Sequence, residues 1–182
     1  SDIFTVDSDA EITVECHPNT IGERRFREYK SVGVNRVTLG LQSFSDVNLT
    51  AIGRDHTSEK NRRILSEALG AGFINVGMDL MYRLPNQDMK NFTQDLEAIA
   101  EFLPDTVSAY SLESDGTGLS EEKSKIPSDA VDREMFYLVG DYLKAKGYGR
   151  YMQPDFALPW KECRYVVNAW QAPQKFCWGL AQ

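Results

Sequence analysis

Six polar side chains recur where apolar runs stop. Glu15, Gln42, Asp79, Ser111 and Glu113 stand at or near the ends of successive apolar segments, and Arg54 follows Gln42 within a Gly53-Arg54-Asp55-His56 turn. An amide and a nearby guanidinium can hold a small polar or carboxylate-bearing ligand. Gln42 alone reads equally well as a strand-end residue that satisfies loop backbone. Asp79 is more informative, because Met78, Leu80 and Met81 flank it. A carboxylate buried in an apolar strand is costly unless it is paired or hydrogen-bonded. Arg83 is a structural partner to consider. The recurrence of Glu15 and Gln42 at equivalent places favours a ligand instead, one with hydroxyls, a cationic centre and a carboxylate. His17, before Pro18, and His56 lack partners at ligand spacing, so no metal site is read from them. The aromatic residues Trp160, Tyr165, Trp170, Phe176 and Trp178 read as packing or an interface.

The elements that carry these residues form a β-α series. Residues 10–16 and 36–42 alternate as strands, 75–82 and 106–112 follow, and 149–156 reads as one more strand. Helices are predicted over 21–31, 46–52, 57–71, 88–102 and 131–146. Thr20 with Glu23 has the spacing of a capping box, Ser45 and Thr57 or Ser58 are caps, and Gly33 and Gly147 are stops. Helical crossovers demand a mostly parallel sheet. Strand ends are where such sheets place their chemistry. The expected fold class is α/β, either an open doubly wound sheet or part of a (β/α) barrel. A complete eight-unit barrel needs about 250 residues. No Gly-x-Gly-x-x-Gly follows a strand, which weakens a dinucleotide-binding reading. Residues 1–119 hold the β-α repeats. Residues 120–182 add a helix, the further strand and an aromatic-rich tail within the same domain.

A net charge of −7 argues against nucleic acid as a partner. No apolar run reaches the length of a membrane span. Cys16, Cys163 and Cys177 are scattered and odd in number, as expected of reduced thiols in a cytoplasmic protein. The chain begins without Met, close to a strand, and is expected to be a fragment.

Several segments together resemble a known family. They are Glu11-Ile-Thr-Val-Glu-Cys-His-Pro18, Gly33 through Phe44, Gly53-Arg-Asp-His56, Ala71 through Tyr82, Leu84-Pro85 with Gln87, and Lys146-Gly-Tyr148 through Phe156-Ala157 to Glu162-Cys-Arg164. In order and spacing they are similar to the oxygen-independent coproporphyrinogen III oxidases, which are radical S-adenosylmethionine (SAM) enzymes. The resemblance implies a partial (β/α)₆ barrel, a [4Fe–4S] cluster and SAM, cleaved to a 5′-deoxyadenosyl radical that abstracts hydrogen. It assigns SAM contacts to Glu15, Gln42, Arg54 and Asp79, with the backbone near Ser111 and Glu113 on the adenine side. It further implies a small-molecule substrate of the tetrapyrrole kind and an electron donor such as flavodoxin or ferredoxin. The reaction would be porphyrinogen decarboxylation or carbon methylation. A non-catalytic heme chaperone or SAM-binding protein is the alternative.

Departures matter as well. The Cys-x-x-x-Cys-x-x-Cys cluster motif and the glycine-rich SAM segment do not occur in these 182 residues and are expected upstream. Tyr165 and Ala169 replace a histidine and an aromatic residue of the heme-handling relatives, which shifts the reading towards methylation. Arg83 and Asn86 stand where glycines are common.

Overall fold

The computed structural model describes residues 5–113 and 125–171. Strands β1 (Thr13–Cys16), β2 (Arg36–Gln42), β3 (Asn75–Tyr82) and β4 (Thr106–Ser111) lie side by side and parallel. They are joined through helices α1 (Glu23–Ser31), α2 (Asp46–Ala51), α3 (Ser58–Gly70) and α4 (Met89–Phe102). Helix α5 (Asp129–Ala145) leads to two short strands, β5 (Gly149–Arg150) and β6 (Asp155–Ala157), and helix α6 (Arg164–Gln171) follows. The sheet order is β1-β2-β3-β4-β6-β5, with β6 antiparallel to β4 and β5 antiparallel to β6.

The register assigns each face. Leu39, Met78 and Val107 are cross-strand partners, and they share one core with Phe26 of α1, Leu65 of α3, Leu96 of α4 and Val139 of α5. The crossover helices therefore cover the same side of the sheet. A doubly wound sheet would have helices on both. One-sided cover is the layering of a (β/α) barrel wall, in which the opposite face looks inward. That inner face carries Glu15, Thr38, Gly77 and Thr106 in one row and Asp79, Ser108 and Asp155 in the next. Gly77 is required in the first row. A Cβ there would lie 2.4 Å from Thr106 Oγ1 and 3.3 Å from Thr38 Oγ1, so any side chain would push the strands apart.

At the N-terminal end of the strands the inner face is closed by a polar plug. Arg36, 4% exposed, donates to Thr106 Oγ1 and to the Lys161 carbonyl. Asn75 donates to the same carbonyl at 2.6 Å, and Lys161 pairs with Asp105 at 3.0 Å.

Three expectations change. Thr20 and Glu23 do not form a capping box. The α1 N-cap is Gly22, the Thr20 hydroxyl donates to the His17 carbonyl, and the Glu23 N–H donates to a Glu67 carboxylate oxygen on α3. A cross-helix acceptor has replaced the local one. Residues 149–156 are two short antiparallel strands, with the Gln153–Pro154 peptide between them. Of the two readings of the tail aromatics, packing does not hold for the described ones, since Trp160 is 94% exposed and Tyr165 and Trp170 are exposed too. Phe176, Cys177 and Trp178 lie outside the described residues, whereas Cys16 and Cys163 are free thiols.

Candidate functional site

Strand β2 sets the geometry of the site. Its pairing with β3 is irregular between Leu39 and Gln42, so Gly40 and Leu41 together face Asp79. Such an extra residue bends a strand and re-aims its last side chain. Gln42 sits at φ 68°, a left-handed conformation that costs about 1–3 kcal/mol for an ordinary residue and clusters at binding sites. A buried network holds it there. The Asp95 carboxylate accepts from Ser43 Oγ at 2.9 Å, from the Phe44 N–H at 2.6 Å and from Gln87 Nε2 at 3.4 Å. Asn61 Nδ2 donates to the carbonyls of Leu41 and Ser43 on either side of Gln42. Burial pushes the Asp95 carboxyl up to about 6, against the pull of these donors.

The Gln42 side chain returns over the inner face. Its Oε1 accepts from the Tyr110 hydroxyl at 2.8 Å, and its Nε2 lies 3.3 Å from where a Gly40 Cβ would be. Asp79 Oδ2 would be 4.0 Å from that same position. Glycine at 40 thus leaves open floor between the amide and the carboxylate. Asp79 itself has no hydrogen bond or ion pair among the described residues, and neither do the side chains of Glu15 and Arg54. The structural partner considered for Asp79, Arg83, turns to Asp129, Asp132 and the Pro127 carbonyl instead.

The charges of these groups act on one another. Burial raises the Asp79 carboxyl to about 7. The Glu15 and Asp155 carboxylates add to the rise, and Arg54 opposes it. The Tyr110 phenol is raised to about 12 by burial and then by the Asp79 charge, with Gln42, Arg54 and Glu15 also acting on it. Four residues read from the sequence, Glu15, Gln42, Arg54 and Asp79, therefore share one site at the inner face.

Ser111 and Glu113 do not join that set through their side chains. Ser111 pairs in register with Tyr82 on the helix side and donates to Asp132 Oδ1 at 2.6 Å. Glu113 is exposed. Both line an adjoining cleft of about 520 Å³ with Tyr110, Asp132, Phe136 and Pro154. Tyr110 touches both spaces. Sequence reading missed it, although it sits two residues after Ser108, the register partner of Asp79. Asp155, bonded to Ser108, is also missed, because 149–156 reads as one strand and not as an antiparallel pair that returns beside β4.

The turn carrying Arg54 folds against the end of β1. Asn19 Nδ2 donates to the Asp55 carbonyl at 3.2 Å, and the His17 and His56 rings meet edge to face with centroids 5.1 Å apart. The two histidines are thus neighbours in space, which their separation in sequence concealed.

Comparison with known proteins places this geometry. The Radical SAM superfamily pattern matches residues 3–99. The chain is 33% identical over 165 residues to heme chaperone HemW of Escherichia coli, covering 90% of this chain and 44% of that protein. It is 30% identical over 183 residues to heme chaperone HemW of Mycobacterium tuberculosis, covering 98% and 46%. The solved structure of coproporphyrinogen III oxidase HemN from Escherichia coli superposes with a TM-score of 0.79 at 25% identity, over 89% of this chain and 38% of HemN. The chain spans less than half the length of the curated relatives it matches. With the one-sided barrel wall and the pattern match over more than half its residues, the chain belongs to the radical SAM superfamily.

Proposed function

We propose that this chain is the SAM-gripping wall of a radical SAM protein of the HemN and HemW kind. The observation that carries the reading is a set of unsatisfied groups: Glu15, Asp79 and Arg54 share one inner face with no protein partner among the described residues. Asp79 and Arg54 are partly buried, and charges so placed without partners are costly, whereas Glu15 is exposed; a ligand of complementary charge relieves that cost. SAM offers a carboxylate, an ammonium, a sulfonium and two ribose hydroxyls. Arg54 pairs with the carboxylate as a fork. Asp79 accepts from the ribose hydroxyls, and Gln42 presents its Nε2 beside them, since its Oε1 is engaged by Tyr110. Glu15 accepts from a ribose hydroxyl or faces the cationic amino-acid end. Gly40 leaves the floor on which the nucleoside lies. The backbone at Ser111 to Glu113 lines the adenine side.

A [4Fe–4S] cluster needs thiolates, and these residues do not fit one. Cys16 packs in the helix-side core, where burial pushes its thiol up to about 11, and burial raises Cys163 also. Cluster ligands therefore belong to other residues of the full-length protein. A cluster held by those other residues would supply the reducing electron for radical chemistry on SAM. The residues here bind and orient SAM and limit its contact with water.

In the full-length protein this chemistry serves oxidative decarboxylation of a porphyrinogen or methylation of a carbon. The substrate is a small molecule of the tetrapyrrole kind, the electron donor is a flavodoxin or ferredoxin, and the setting is the cytoplasm. No helix among the described residues is long and apolar enough to cross a membrane. A second reading, a heme chaperone, is favoured by the names of the curated relatives. Calorimetric SAM titration of the full-length protein tests the first. Asp79→Asn and Arg54→Ala should each weaken binding by about tenfold or more, the loss of one charge-assisted contact. Unchanged affinity in both variants would remove the site. A Soret shift on heme titration, with SAM binding intact, would move the function to heme handling.

A further inference from the structure

The pair of histidines beside the Arg54 turn has a feature that packing leaves unexplained. His56 is buried, with its side chain 0% exposed. Its Nε2 lies 3.3 Å from the Leu41 carbonyl, which can only accept. Nε2 therefore carries the proton, and Nδ1 is left with a bare lone pair. That nitrogen is buried without a hydrogen-bond partner. It points to Asp55 Oδ1 at 3.9 Å, and His17 Nε2 lies 3.7 Å from the same oxygen. The ligand atoms of His17, Asp55 and His56 all fall within 4.8 Å of one another.

We propose that His17, Asp55 and His56 bind one divalent cation of the zinc class. It is held by His17 Nε2, one Asp55 carboxylate oxygen and His56 Nδ1, with water in the fourth position. Two imidazoles and a carboxylate suit zinc better than magnesium or calcium, which take oxygen donors. Ligand atoms around tetrahedral zinc stand about 3.4 Å apart, from bond lengths near 2.0–2.1 Å. The Asp55 oxygen is already close to that separation from both rings. Metal-bound histidines commonly donate their other ring N–H to a backbone carbonyl, as His56 does to Leu41. His17 must change more. Its Nδ1 accepts a 3.3 Å bond from the Asn19 N–H. Coordination through Nε2 moves the ring proton to Nδ1 and gives up that long contact. Asp55 is 74% exposed on its side chain, so the ion arrives from solvent without an opening of the core.

Such a site would clip the end of β1 to the Gly53–His56 turn and so fix Arg54 beside it. It does not depend on which reaction the full-length protein performs.

Cobalt and zinc titration of this chain, carried on a tag without histidine, tests the proposal. One equivalent of Co²⁺ should give visible ligand-field bands with no thiolate charge-transfer band, and Zn²⁺ should displace it. Asp55→Asn alters an exposed side chain and should keep the metal-free melting temperature, whereas His17→Ala also gives up the Asn19 and His56 contacts and is compared at its own metal-free melting temperature. Each should weaken the ion by more than the roughly 10–100-fold that loss of an outer-shell partner costs. Three results would overturn the site: no stoichiometric uptake, a thiolate band that places the ion on cysteine, or unchanged affinity in both variants.

Discussion

Asp79 is a carboxyl whose surroundings favour the proton. Its folded value of about 7 stands above the ordinary 3.9 or so of an unfolded aspartate. Between those values the folded state holds the proton more tightly than the unfolded chain. Stability contributed there is present at low pH and is lost as pH rises through about 7. Asp79→Asn keeps the shape without the charge. It should match the parent chain near pH 4 and exceed it at pH 8 by about 1–3 kcal/mol, discounted for solvent reach into the open face. Urea unfolding at the two pH values checks this. Ligand binding should run the other way. The carboxylate is the better acceptor, so SAM affinity of the full-length protein should rise from pH 6 to pH 8. That rise should vanish in Asp79→Asn. Asp79 was legible in the sequence because its neighbours are apolar. Tyr110 was not, because a tyrosine in a strand looks like packing until the register places it across from Met81 and beside Gln42.

At the scale of elements, the alternation that marked β2 and β3 gave their bounds, since both are buried on the helix side and polar within. Side-chain caps at Ser45 and Thr57 form as their sequences suggest, while Asp88, read as the first helical residue, is instead the cap of α4. What stayed hidden depends on distant residues. The local Thr20–Glu23 signal lost to Glu67 on another helix. The bend at Gln42 is held by Asp95, far along the chain. Arg83 and Asn86, which the resemblance sets against glycines, both adopt positive φ, at 61° and 60°, a conformation that glycine takes without strain. Asp95→Ala should leave Ser43 Oγ and the Phe44 N–H without their buried acceptor. It should cost about 1–3 kcal/mol in chemical denaturation and weaken ligand binding through Gln42, whereas a change on the far side of α4 should affect stability alone.

For the whole molecule, protection should follow position in the sheet. β2 and β3 have partners on both sides, while β1 and β5 end the described sheet. Amide hydrogen exchange should be slowest in β2 and β3 and fastest in β5, whose two residues are exposed. Equal rates in β5 and β3 would contradict that gradient. The two margins differ in another way. β5 is a stub of only two residues, so it offers little template for further pairing. β1 is a parallel strand with a partner on one side only among the described residues. Complementation by a separately made polypeptide would therefore proceed from a single growth front, with an added segment running in the same direction as β1. A split version of the full-length protein cut just ahead of β1 should reassemble along that side of β1.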